Sequence, residues 1–183
     1  TNRTVVTAFK AYIKALLSHV NNYTGVPLAA DPTVLAWETG NELVGTSPAW
    51  TAEIAGWIKG ECKAQQLVMD GRDEIREGSN ASFLQIAGVD MISDHYYGAL
   101  TAAKTLFVAT DAGAAAAHGK AYVVGEYGWE QAGLSDFLSL VEANTDVAGD
   151  LYWSFFPHAD GGGFVAHGDG HTLHYPGDDA AMH

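Results

Sequence analysis

The 183-residue chain has a single cysteine, Cys62, and few basic residues. One cysteine excludes an intrachain disulfide and a cysteine-based metal site. Nine Lys and Arg stand against 22 Asp and Glu, so the formal net charge is −13. This charge argues against nucleic acid, whose phosphates need a basic surface, and against an anionic membrane. Nor does any apolar run approach the roughly 20 residues that span a bilayer.

The chain also lacks an initiator methionine and a signal-peptide pattern, and it begins directly before an amphipathic segment. This start predicts that the sequence continues upstream in a longer protein. Three Asn-x-Ser/Thr sequons, at Asn2, Asn22 and Asn80, are compatible with a secreted glycoprotein. No linker or low-complexity tract divides the chain, so we expect one domain over residues 1–183.

Hydrophobic periodicity predicts strands that alternate with helices. Most successive predicted strands start about 30 residues apart, which is the length of a βα unit. Near-continuous apolar strands of this kind predict an α/β fold with a parallel sheet covered by helices. Helices are predicted over residues 2–21, 47–60, 101–118 and 135–142, strands over 34–37, 67–70, 89–95, 122–126 and 150–156, and a loop from 157 onwards.

Polar side chains follow the carboxyl ends of these strands, where parallel α/β barrels build their active sites. Asn41 and Glu42 follow the first strand, and Glu126 ends the fourth. Two glutamates held on separate strands can supply the acid and the nucleophile or base of glycoside hydrolysis. Taken singly, each could also be a solvated strand end, and it is the order of the whole set that favours catalysis.

The remaining candidates have plausible roles around that pair. An Asn beside the acid can bind a sugar hydroxyl, and hydrogen bonds from His95 and Tyr97 could keep Glu126 ionised. Trp153 could form a floor under the sugar, although the default interpretation of a tryptophan is core packing. A neutral carbohydrate substrate also suits a chain with five Trp and eight Tyr.

The Gly-rich tail contains several histidines and aspartates that could in principle ligate a metal. Their spacing fits no established ligand pattern, so we predict a loop beside the cleft and no metal site. The residues concerned are His158, Asp160, His167, Asp169, His171 and His174.

Four motifs together resemble glycoside hydrolase family 5, and most closely its fungal and plant β-mannanase-like branch. They are Trp37-Glu38-Thr39-Gly40-Asn41-Glu42, His95-Tyr96-Tyr97, Gly125-Glu126-Tyr127-Gly128-Trp129 and Tyr152-Trp153-Ser154. The resemblance covers residues 3–178 and implies a TIM (β/α)8 barrel and a retaining double-displacement mechanism without a cofactor.

By position, the resemblance implies that Glu42 is the acid/base and Glu126 the nucleophile. It also implies substrate-binding roles, with weaker support for the last two, for Asn41, His95, Tyr97, Trp153, Trp129 and His158. The implied substrate is β-1,4-mannan or a related β-linked polysaccharide, and the implied location is extracellular.

The chain departs from the family in length, because only strands four to eight of the barrel are represented. The early-strand arginine of the family has no counterpart, and Arg72 follows a different strand. Three interpretations stay open: a fragment of a longer enzyme, a chain completed by another chain or copy, and an open half-barrel. Two functions also stay open as alternatives, namely a β-glucanase or cellulase-like hydrolase and a truncated, non-catalytic carbohydrate-binding fragment.

Overall fold

The computed structural model describes residues 2–72, 81–129, 131–165 and 167–175. Its centre is a five-stranded parallel sheet whose strands lie side by side in chain order. The parallel α/β fold predicted from periodicity is therefore confirmed. The strands are β1 Ala36–Glu38, β2 Leu67–Met69, β3 Met91–Tyr96, β4 Ala121–Tyr127 and β5 Val147–Asp150.

Helices connect the strands and begin close to their predicted positions. Ser47 caps one of them through its side chain, with Pro48 at the first helical position, as the sequence predicts. Of the helices within the described ranges, none combines the length and the apolar character that a membrane span requires. They are α1 Arg3–Ser18, α2 Pro48–Gly56 with a following π-helical turn Trp57–Glu61, α3 Ala81–Leu84, α4 Ala102–Ala117 and α5 Leu134–Ala143, besides a 3-10 turn at Leu28–Ala30.

The two faces of the sheet have different environments. One face packs on the helices, where strand residues such as Val68, Ile92 and Val124 join a single buried core. The other face lines an open cavity, in which Leu151 and Phe155 remain 60% and 52% exposed. β1 and β5 are the two edges of this sheet within the described residues, so the described strands form an arc and not a closed barrel.

The last strand and the tail differ from the sequence-based expectation. The strand predicted over 150–156 is replaced by β5 and by a separate short strand, β6 Phe155–Pro157. β6 pairs with β7 Leu173–Tyr175, which lies in the segment predicted as loop. Leu173 is buried, and its N–H donates to the Ser154 carbonyl at 2.8 Å, so this long-range pairing orders the tail. The sequon at Asn80 lies outside the described residues.

Candidate active site

Two carboxyl groups meet at the carboxyl ends of β1 and β4. Glu126 ends β4, and Glu42 lies in the loop after β1 with a left-handed φ of 48°. Such a φ is costly for a residue other than glycine, and residues of this kind cluster at functional sites. The Leu43 N–H donates to the Gly71 carbonyl at 2.9 Å, which ties the loop to the end of β2. One oxygen of Glu42 and one of Glu126 lie within 4.8 Å of each other.

His95 lies between the two carboxyl groups. Its Nδ1 atom is 2.9 Å from Glu42 Oε1 and 3.6 Å from Glu126 Oε2. The imidazole is only 5% exposed, whereas the Glu42 side chain is 44% exposed. The register between β3 and β4 shifts at this point, and such an irregularity can re-aim a side chain toward a site. The Nδ1–Oε1 distance is that of a hydrogen bond, in which the tautomer of His95 decides which atom donates.

Tyr97 holds the other glutamate. Its hydroxyl donates a short hydrogen bond to Glu126 Oε2. Burial, followed by the bond and charge of Glu126, raises the pKa of Tyr97 well above its usual value, so the phenol stays protonated. A protonated phenol can donate to the Glu126 carboxylate, and this bond fixes the orientation of that side chain. The arrangement suits a nucleophile.

The cleft consists of two adjoining cavities of about 490 Å³ and about 420 Å³. Asn41, Glu126 and Trp153 line both, so the cavities form one continuous groove across the end of the sheet. The larger cavity runs along the open sheet face and the segment before β6. The smaller one is closed by the tail, through the side chains of His167, Asp169 and His171.

Asp169 organises this tail wall. Its carboxylate accepts from the Trp153 indole at 2.5 Å, from the His171 N–H at 2.9 Å and from the Thr172 hydroxyl at 3.1 Å. Burial opposes ionisation, but these hydrogen bonds and nearby His167 outweigh it and lower the pKa of Asp169 to about 2. A fully ionised Asp169 therefore fixes the edge of the Trp153 ring beside the groove.

Glu38 is a third carboxyl in the larger cavity, and it is not among the site residues predicted from the sequence. It is open to the groove, yet protein surrounds it on most sides, and this burial raises its pKa to about 7. The charge of His95 opposes the rise, while Glu126 and Asp70 add to it. Successive side chains of a strand point to opposite faces of the sheet, so the position of Glu38 in the cavity could have been predicted. Trp37 packs on the helix side, and the residue after it must therefore face the cavity.

Six of the eight predicted site residues line this groove. They are Asn41, Glu42, His95, Tyr97, Glu126 and Trp153. The other two, Trp129 and His158, line neither cavity, and His158 instead packs edge-on against Phe164 at 4.5 Å. The roles of all eight stay predictions.

Comparisons with known proteins also found β-mannanases. No family model matches the chain. It is 32% identical over 121 residues to mannan endo-1,4-beta-mannosidase 3 of Oryza sativa subsp. japonica, covering 53% of this chain and 26% of that protein. It is also 37% identical over 68 residues to mannan endo-1,4-beta-mannosidase 2 of the same organism, covering 33% and 15%.

Among solved structures, the endo-beta-1,4-mannanase from Thermotoga petrophila superposes with a TM-score of 0.73 at 22% identity, over 94% of this chain and 47% of that one. At this identity the likeness establishes the fold. The chain thus has the TIM-barrel type of sheet and is similar in sequence to mannan endo-1,4-beta-mannosidases over about half of its length. Its matches span about a quarter of the first curated relative and about half of the solved enzyme.

Proposed function

We propose that this chain carries the catalytic groups of a retaining endo-β-1,4-mannanase. The observation that carries the proposal is the placement of Glu42 and Glu126, whose nearest oxygens lie within 4.8 Å at the ends of two strands of one sheet. Retaining glycosidases hold their carboxyl groups about 5–5.5 Å apart, while inverting enzymes need about 6.5–9.5 Å to admit a water. The close approach favours retention.

In the proposed reaction Glu126 attacks the anomeric carbon while Glu42 protonates the leaving oxygen. The covalent glycosyl-enzyme is then hydrolysed by a water from which Glu42 removes a proton. The contacts support this division of roles, because the Tyr97 hydroxyl donates to Glu126 and holds its carboxylate in place. Glu42 is the more exposed of the two, and its contact with His95 Nδ1 suits a group that exchanges a proton twice in each cycle.

β-1,4-Mannan is the proposed substrate, as the names of the two curated relatives suggest. The groove supports a polymer, since its two cavities adjoin and Glu126 and Trp153 line both of them. We also propose an extracellular location, where plant wall polysaccharides occur. The sequons at Asn2 and Asn22 are compatible with that location.

A complementary βα segment is proposed to cover the open face of the sheet in the active enzyme, supplied by the same protein or by another copy. The 60% exposure of Leu151 supports this, because its N–H extends the pairing of β5 with β4 and apolar side chains on a sheet face are normally packed against another layer. The unpaired edges at β1 and β5 support it as well, since open edges invite further strands.

The test is reducing-sugar release from galactomannan, with carboxymethyl-cellulose as the competing substrate. We expect cleavage of galactomannan by the wild type and a loss of at least about a hundredfold in Glu42→Gln and in Glu126→Ala. The matched control is Glu61→Gln, an exposed glutamate beyond α2 that should leave the rate unchanged. Normal rates in either active-site variant, or preferential cleavage of the cellulose derivative, would contradict the proposal.

A further inference from the structure

Glu42, His95 and Glu126 also form a set of metal-ligating atoms at the centre of the groove. One carboxylate oxygen from each glutamate and Nδ1 of the imidazole all lie within 4.8 Å of one another. From the geometry of these three atoms we propose that they form a binding site for a divalent transition-metal ion, with Zn²⁺ as the best-suited ion. An ion bound there would block both carboxyl groups, and its binding does not depend on the proposed hydrolysis.

The separations suit bonds to zinc. At bond lengths of about 2.1 Å, as zinc makes to nitrogen and oxygen, Nδ1–O separations of 2.9 Å and 3.6 Å correspond to angles of about 90° and 120° at the ion. Two carboxylates and one imidazole are a ligand set that zinc accepts, with a fourth position left for water. Glu42 is 44% exposed on a loop, so it can move by the ångström or so that brings its oxygen and that of Glu126, which lie within 4.8 Å, to a shared ion.

The surroundings favour a cation. Among the described residues, no Lys or Arg forms an ion pair with Glu42 or Glu126, and the ion pairs of these side chains are with His95. A metal ion bound between them would therefore neutralise both carboxylates. The Tyr97 hydroxyl would remain bonded to Glu126, and such hydrogen bonds to ligating carboxylates orient them and strengthen binding. The net charge of −13 adds a general attraction for cations.

A rival location for the ion is the tail wall, where His167 and Asp169 lie 3.2 Å apart. The Asp169 oxygens are already occupied by the Trp153 indole, the His171 N–H and the Thr172 hydroxyl. The tail wall offers two ligand side chains in this pair, whereas the central trio offers three within 4.8 Å of one another, so the central trio is favoured.

The experiment is calorimetric titration of the purified chain with ZnCl₂. We expect one site on the wild type, weakened at least about tenfold in His95→Gln and in Glu42→Gln, because even the loss of an outer partner typically costs 10–100-fold in metal affinity. Glu42→Gln is the second variant because an exposed loop residue can change without unfolding the chain. His118→Gln, an exposed histidine at the end of α4, and Glu61→Gln are controls that should retain the wild-type affinity.

Two results would overturn the assignment. One is the absence of a single saturable site on the wild type, and the other is wild-type affinity in both His95→Gln and Glu42→Gln. A loss confined to His167→Gln would also overturn it and would move the ion to the tail wall. Since the titration measures ion binding alone, a chain without mannanase activity can still support the proposal, and an active one can still refute it.

Discussion

Replacement of Gly125 by alanine is expected to disturb the catalytic end of β4, because a methyl group has no room there. A Cβ atom at this position would lie 2.0 Å from Ser93 Oγ and 3.1 Å from His95 Nε2. Either the serine hydroxyl rotates away or β3 and β4 separate locally, and the His95 ring must also give way by a few tenths of an ångström. Overpacking of this kind typically costs about 1–3 kcal/mol. We expect urea unfolding to show a loss of that size in the free energy of unfolding.

The serine offers a way to relieve the clash. Ser93 is buried, and its hydroxyl has no hydrogen-bond partner among the described residues. Ser93→Ala should therefore be neutral or slightly stabilising, because it removes an unsatisfied buried polar atom. In the Ser93→Ala background the 2.0 Å contact with the hydroxyl oxygen no longer exists. The destabilisation caused by Gly125→Ala should therefore be at most half as large as in the wild-type background. A coupling energy of about 0.5–3 kcal/mol is usual for residues in contact.

Gly149 is the matched control for this experiment, because it is a strand glycine of β5 at which an added Cβ atom would meet nothing within 4 Å. Gly149→Ala should be neutral or should gain about 0.4–1 kcal/mol, since alanine lowers the entropy of the unfolded chain. An equal cost for Gly125→Ala with and without the Ser93 hydroxyl would refute the steric explanation. An equal loss at Gly149 would attribute the effect to strand glycines in general.

Three further predictions concern the support of the site. Burial raises the pKa of Asp70 from 3.8 to about 6, so the folded chain binds that proton more tightly than the unfolded chain does. The free energy of unfolding should therefore fall by up to about 3 kcal/mol as the pH rises from about 4 to about 6. In urea unfolding, the stability of Asp70→Asn should rise relative to that of the wild type over this pH range. A difference in unfolding free energy that does not change with pH would contradict the prediction. Asp169→Asn should speed solvent exchange of the Trp153 indole N–H in NMR spectra, whereas unchanged exchange would show that Asp169 does not hold the ring. Ser47→Ala should cost about 1 kcal/mol in thermal unfolding by removing the cap of α2, and an unchanged midpoint would show that the cap is dispensable.

Local patterns predicted most of the sheet correctly. β3 and β4 are long and apolar, and each ends in polar side chains, so their positions could be read from periodicity and strand-end chemistry. The prediction that Glu42 and Glu126 meet follows from the same logic, because parallel strands place their carboxyl ends at one edge. The resemblance to a known family supplied their roles, which residue spacing alone could not distinguish.

The tail could not be predicted in the same way. β6 pairs with β7 across an intervening Gly-rich segment, and the pairing buries Leu173, which is a long-range contact without a local periodic signal. The position of Asp169 under the Trp153 indole depends on that pairing, because the Ser154 N–H bonds to the His171 carbonyl at 3.0 Å. Distances such as the one between His95 and Glu42 are likewise set by a shift in strand register that the sequence does not reveal.

The catalytic groups and the open face of the sheet depend on different parts of the protein. His95 lies on β3, Glu126 lies on β4, and Glu42 lies in the loop after β1. Continuous parallel pairing joins these three strands through β2. The spacing of the carboxyl groups therefore depends on strands that the chain itself contains. The apolar wall of the larger cavity is different, because Leu151, which follows β5, remains 60% exposed there. A chain that binds Zn²⁺ at the trio but leaves galactomannan intact would thus place the defect in substrate positioning, and a segment that covers the sheet would be expected to restore hydrolysis.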